Sequence, residues 1–214
     1  MPASQMLSPA APRSPGRPPG VDSVCQDRLL TVAISSFARL GFESVSLRSI
    51  ANAAGFNVSM VSHYFGSKLG LWQAVVDTIA LDQQDMLHEL KELNRFDQPL
   101  ALRTTTAIDL MLDHLAANPE AFMFVARGIS EPNERLDYLI DRLLRPYNEA
   151  CLPLWREAMA AGLLRPIDPM TFHIGLIGGL AMLIASRPVL AQFEGKEMSL
   201  EQLKLEMHKI LNLG

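Results

Sequence analysis

The chain has 214 residues, 49% of them hydrophobic and 20% charged, with a formal net charge of −4. That length and apolar content allow one domain or a small head on a larger body, and the acidic balance excludes a protein that coats nucleic acid over its whole surface. Cys25 and Cys151 lie far apart, make neither a disulfide framework nor a zinc motif, and fit a reduced cytoplasm.

Residues 1–23 carry Pro2, Pro9, Pro12, Pro15, Pro18 and Pro19 among small residues, without a continuous apolar core. They read as a disordered tail and not as a signal peptide. Arg13 and Arg17 suit either an arm in a minor groove or a solvated tail with no role.

Next, Leu30, Ala33, Ile34, Phe37 and Ala38 recur at helical spacing, and Gly41 can end that helix. Ser46 is a good N-cap for a helix Leu47–Ala54, and Gly55 suits the position just past its end. After a three-residue turn, Asn57 can cap a second helix, roughly Val58–Phe65. Two short helices joined this tightly have helix-turn-helix spacing, in which the second can be presented to a DNA major groove.

The run Ser46 to Lys68, SLRSIANAAGFNVSMVSHYFGSK, behind a helix ending in Gly41-Phe42, resembles the DNA-binding region of TetR-type transcriptional regulators. The resemblance spans about Leu29 to Val75 and includes the Ser46 cap, Ile50-Ala51, Ala54-Gly55 and the Phe65-x-Ser67-Lys68 end. It departs from the family pattern at Ser62, where Tyr is usual, and at Tyr64, where His is usual. VSHYFGSKLGL resembles the betaine-pathway repressors of that family more than its drug-efflux members. The resemblance implies an all-α fold: a helix-turn-helix head at 24–70, joined by a long helix to an effector-binding and dimerisation body at 71–214.

On the recognition helix Val61 and Phe65 are four apart and should pack inward, leaving Ser59, Met60, Ser62, His63 and Tyr64 for the open faces. Ser59 and His63 fall nearest the bases, and Tyr64 suits phosphate or sugar. Lys68 opens the next helix, where its charge and the helix N-terminus favour a phosphate oxygen. Ser46, Leu47 and Arg48 can clamp the flanking backbone. Residues 24–72 hold Arg28, Arg39, Arg48 and Lys68 against Asp27 and Glu43, a local excess of +2 on an acidic chain.

From Lys68 the apolar spacing predicts one helix to about Leu93, the mechanical link between head and body. Helices follow at Pro99–Ala117, then from Pro119, then over Asn133–Ala161, where Pro146 and Pro153 should each kink or break the run. Asp168 caps a helix through about Ser186, and Ser199 caps a last one to Leu211. The apolar segment Ile174–Ala185 is twelve residues, short of the roughly 20 that span a bilayer. Its apolarity suits either an intrachain core or, as the resemblance implies, a homodimer built through the last two long helices.

The resemblance also implies a small-molecule cavity in the body, and an apolar or amphipathic effector is expected. Its candidate lining is Met86, Met111, Phe122, Met123, Arg127, Tyr147, Trp155, Met159 and His173, although methionines at helical spacing also read as plain core. No phosphate loop, nucleophile elbow or paired metal ligands appear, so no cofactor and no catalysis are expected. The expected protein is a cytoplasmic, ligand-responsive repressor on a palindromic double-stranded DNA operator. An activator on the same scaffold, or a helical interaction protein that no longer reads DNA, remain as alternatives.

Overall fold

The computed structural model describes residues 21–213 apart from 96, 132 and 196. The expectations for the proline-rich residues 1–20, Arg13 and Arg17 included, lie outside the described residues. Every regular element among the described residues is helical.

Helix α1 (Val21–Ser44) begins inside the stretch expected as tail, because Pro19 is the last proline of that stretch and nothing bars a helix from Val21 onward. The chain leaves regular helical geometry at Gly41 (φ 79°, ψ 166°). Leu29, Ala33, Phe37 and Ala38 are buried against α2 (Leu47–Ala54) and α3 (Val58–Phe65), which contribute Ile50, Ala51, Ala54 and Val61.

The expected single helix from Lys68 to Leu93 is two: α4 (Lys68–Asp82) and α5 (Gln84–Leu93). They are separated by Gln83, at φ −87° and ψ −4°. The helical hydrogen bonds run on across the break, from Gln83 N–H to Ile79 and from Leu87 N–H to the Gln83 carbonyl. The interruption falls where the chain passes between two apolar clusters. Leu71, Val75, Val76 and Ile79 belong to the cluster around α1–α3, whereas Met86, Leu87, Leu90 and Leu93 belong to that of the body.

The body adds α6 (Leu100–Ala117) and α7 (Pro119–Ile129). Then α8 (Glu134–Leu139) passes through a π-helical turn, Ile140–Leu144, into α9 (Arg145–Ala160). Neither expected proline breaks this run. Pro146 enters in the first turn of α9 just after the widened π turn, where its missing N–H is accommodated. Pro153 lies inside α9 on the exposed side, where a freed carbonyl can reach water. Buried Arg103 of α6 ties the layers together, donating to the Leu93 carbonyl at 3.1 Å and pairing with Glu157 of α9.

Helix α10 (Pro169–Glu194) runs well past the expected end at Ser186, through Pro188, which is exposed. Within Pro169–Phe193 an 18-residue window has a mean hydropathy of 1.8, so the helix is long and apolar enough to cross a membrane by length and composition, and the apolar element exceeds the twelve residues expected. Helix α11 (Leu200–Ile210) starts with the expected Ser199 cap, which accepts from Gln202 N–H. Both helices pack on α6.

The apolar cluster around α1–α3 does not stop at α4. It takes in Phe124 of α7, Leu139 of α8 and Leu143 of the π turn, so head and body share one packed seam.

Candidate nucleic-acid interface and cavity

The helix-turn-helix is held by local bonds that its residue types dictate. Ser46 Oγ accepts from Ser49 N–H at 3.0 Å while Ser46 N–H donates to Ser49 Oγ at 3.1 Å, a reciprocal cap on α2. Gly55 adopts the left-handed conformation (φ 78°, ψ 28°) that closes α2, which glycine reaches at no steric cost. Asn57 occupies the N-cap position of α3 with extended backbone, but its side chain makes no capping bond there.

Ser67 then caps α4 by accepting from Gly70 N–H at 3.0 Å. At Gly70 a Cβ would stand 2.2 Å from the Phe65 carbonyl oxygen, so the junction of α3 and α4 leaves no room for any side chain.

These bonds orient the open faces. Val61 is fully buried, and Phe65, expected inward, is half-buried against the same cluster. Ser59, Ser62 and His63 of α3 are exposed, as are Ser46 and Arg48 at the start of α2. Leu47, Met60, Tyr64 and Lys68 are half-buried, and the Tyr64 ring meets His63 and Phe65 edge-on at 5.4 and 6.2 Å. Lys68 stands at the first position of α4, but its ammonium already has internal partners. It donates to the Glu43 carbonyl at 3.2 Å and lies 4.4 Å from the Phe42 ring centroid.

Away from this surface the body holds a partly open cavity of about 420 Å³ between α4–α5, α6, α7, the π turn, α9 and α10. Of the residues expected to line it, Met86, Phe122, Tyr147 and His173 do so. The other five lie elsewhere. Met111, Trp155 and Met159 are core residues, because their positions on α6 and α9 turn toward neighbouring helices. Met123 is about half exposed, on the outer side of α7. Arg127 packs at the head–body seam, where a Cβ on Gly41 would meet its guanidinium at 2.7 Å.

Unforeseen polar lining comes from Gln83, His114, Asn118 and Asn148. Gln83 had a legible signal: it falls in phase with Ile79, Met86 and Leu90 on a buried stripe, where a polar residue stands out. Burial lowers the His114 pKa and pushes that of His173 down to about 4, while it raises that of Tyr147, so these groups are uncharged at neutral pH.

Helix α7 divides its faces between the two sites. Ala121, Phe122, Val125, Ala126 and Ile129 line the cavity. Its other side packs on the head: Phe124 lies 6.3 Å from Phe37 and 5.6 Å from Trp72, and Glu120 accepts from Ser35 at 2.5 Å and Arg39 at 2.9 Å. Nearby, Tyr138 of α8 and Arg142 of the π turn both donate to Asp77 of α4, at 2.9 and 2.7 Å.

Residues 29–75 match the family model described as bacterial regulatory proteins, tetR family. A regulatory protein of Mycobacterium tuberculosis, RaaS, is 46% identical over 59 residues, 28% of this chain and 27% of its own length. The regulator BetI 2 of Chromohalobacter salexigens is 26% identical over 169 residues, covering 75% of this chain and 80% of that protein. Among solved structures, a putative fatty acid metabolism regulator of Clostridium perfringens superposes with a TM-score of 0.69 at 18% identity, covering 87% of this chain and 98% of that one. The hemolysin II regulator HlyIIR superposes with a TM-score of 0.61 at 20% identity, over 83% and 99% of the two chains. The helix-turn-helix match, the relatives that are transcriptional regulators and the shared all-α fold agree: residues 29–75 form a DNA-binding region of the kind found in the tetR family of bacterial regulatory proteins, on a chain with the fold of solved regulators.

Proposed function

We propose that this regulator is a cytoplasmic repressor that binds a palindromic operator as a homodimer and releases it when a small apolar or amphipathic effector enters the cavity. The observation that carries the reading is the double-faced α7, with the cavity on one side and the seam to the head on the other. An occupant that displaces Val125 or Ala126 also displaces Phe124 and, through it, Trp72 of α4. Operator half-sites require recognition helices about 34–36 Å apart, so a small rotation of each head abolishes simultaneous docking.

In this reading residues 24–70 are the DNA-reading head and 71–214 the effector and dimerisation body. Ser59 and His63 reach base edges, flanked by Met60 and Ser62. Ser46, Leu47, Arg48, Tyr64 and Lys68 engage the DNA backbone. The dimer is supported by the surface of α10. Ile174, Met182, Val189 and Phe193 are 62%, 66%, 51% and 84% exposed along one broad face. Gly175, Gly178 and Gly179 have open space where a Cβ would stand, so a second helix can approach the backbone closely. Leu205 and Ile210 of α11 are exposed as well. So large an apolar surface on a water-exposed chain calls for a partner.

Selection from a random duplex pool with the purified protein tests the reading. A two-fold symmetric site is expected, and genes beside its genomic matches would carry lowered transcription. Enrichment of an asymmetric site, or of none at low salt, would overturn it.

A further inference from the structure

No lysine, arginine, aspartate or glutamate stands among the described residues that line the cavity. Its polar groups are amide, imidazole and phenol, and two of them lie deeply buried. Gln83 is 8% exposed and His173 1%, and the Nε2 nitrogen of each has no hydrogen-bond partner.

The proton on His173 can be placed. The Trp155 indole N–H donates to His173 Nδ1 at 3.1 Å. An indole nitrogen only donates, so Nδ1 must accept, and the neutral ring then carries its hydrogen on Nε2. Burial keeps the ring neutral at physiological pH. The unpartnered atom is therefore an N–H donor, as is the amide NH2 of Gln83. A buried donor without an acceptor is unfavourable, and an oxygen lone pair relieves it.

The absence of charge on the wall is equally selective. A carboxylate entering this cavity would lose its water and meet no cation, and a quaternary ammonium would meet no anion. Placement adds a consequence for regulation. Gln83 is the residue at the interruption between α4 and α5, so a ligand bonded to it acts on the element that runs from the head into the body.

Resting on the reading of this cavity as an effector site, we propose that the effector is an uncharged lipophile with carbonyl-type oxygen, such as an ester, ketone or lactone. Its oxygen atoms accept from His173 Nε2–H and from the Gln83 amide, and its hydrocarbon part lies against Phe122, Val125, Ile129 and Ile177.

The test is calorimetric titration of the full-length protein with four probes of equal chain length: methyl decanoate, 2-decanone, decanoate and decyltrimethylammonium. The ester and ketone should bind at least tenfold more tightly than either ion. Gln83→Met should weaken the ester about fivefold to tenfold, the worth of one hydrogen bond, with thermal unfolding verifying that the variant is folded. Val125→Trp, whose indole would intrude into the cavity from its α7 wall, should abolish binding.

An ion that binds as tightly as the ester would overturn the proposal and leave the effector cavity standing. So would ester affinity that is indifferent to both Gln83→Met and His173→Phe. Ester binding that survives Val125→Trp, or no binding by any probe, would overturn the cavity reading itself and the proposal with it.

Discussion

Phe124 places its ring 5.6 Å from Trp72 of α4, while Val125, the next residue along α7, lines the cavity. Adjacent positions of one helix thus face the seam to the head and the cavity of the body. Phe124 is 3% exposed, so Phe124→Ala should cost about 3–5 kcal/mol of stability, read from urea unfolding. The gentler Phe124→Leu should leave the protein folded while shrinking the ratio of operator affinities measured without and with effector. An unchanged ratio would show that coupling runs by another path.

Gly70 is a second site where geometry alone predicts the outcome. A methyl group there would stand 2.2 Å from the Phe65 carbonyl oxygen, a backbone atom that cannot swing away. Gly70→Ala should therefore destabilise the head by about 1–3 kcal/mol or more and lower operator affinity, whereas Gly178→Ala meets open space inside a helix and should stabilise the chain by about 0.5–1 kcal/mol. Equal unfolding midpoints for the two variants would contradict this.

On the DNA surface, exposed Arg48 and exposed His63 should separate cleanly. Arg48→Ala should weaken binding to every duplex and reduce the slope of log affinity against log salt by about two, one for each subunit of the dimer. His63→Ala should relax preference at one base pair, by about 1–3 kcal/mol, with the salt slope retained. Lys68, already bonded to Glu43 and stacked on Phe42, should show a mixed loss of affinity and head stability. Binding-site selection at two salt concentrations distinguishes the three.

The exposed face of α10 predicts the assembly. Met182→Asp and Phe193→Asp each place a charge where an apolar partner is expected, and should convert the dimer to monomers in sedimentation velocity. Because neither side chain is buried within the chain, monomer secondary structure should be retained. A dimer that persists in both variants would refute this face as the interface.

Acid should weaken the fold through its buried imidazoles. Burial holds His173 at about 4, below the ordinary value near 6.5, so between these values the unfolded chain binds a proton that the folded chain does not. The stability that neutral His173 contributes is complete above about pH 6.5 and is lost as pH falls to about 4, roughly 3 kcal/mol over that window. His114, also lowered by burial, acts in the same direction. Urea unfolding of wild type and His173→Gln at pH 7.5 and 4.5 should show a smaller pH-dependent loss in the variant.

The sequence alone determined those parts of the molecule whose conformation is decided within a few residues. The Ser46 cap, the Gly55 turn, the departure from helix at Gly41 and the caps at Asp168 and Ser199 are local chemistry, so the helix-turn-helix and most helix starts could be read in advance. The buried stripe through Val61 and the polar outlier His173 were equally legible, from helical period alone. Tertiary structure decided the rest, because it depends on which helix each face meets. The break at Gln83 appears only where one continuous apolar stripe must serve two cores. Pro146, Pro153 and Pro188 stay within helices because a π turn or an exposed side absorbs their missing N–H groups. Periodicity marked Met111, Trp155 and Met159 as buried but could not say whether they faced a neighbour or a void. Helix packing alone turned Asn118 and Asn148 toward the same space as His173.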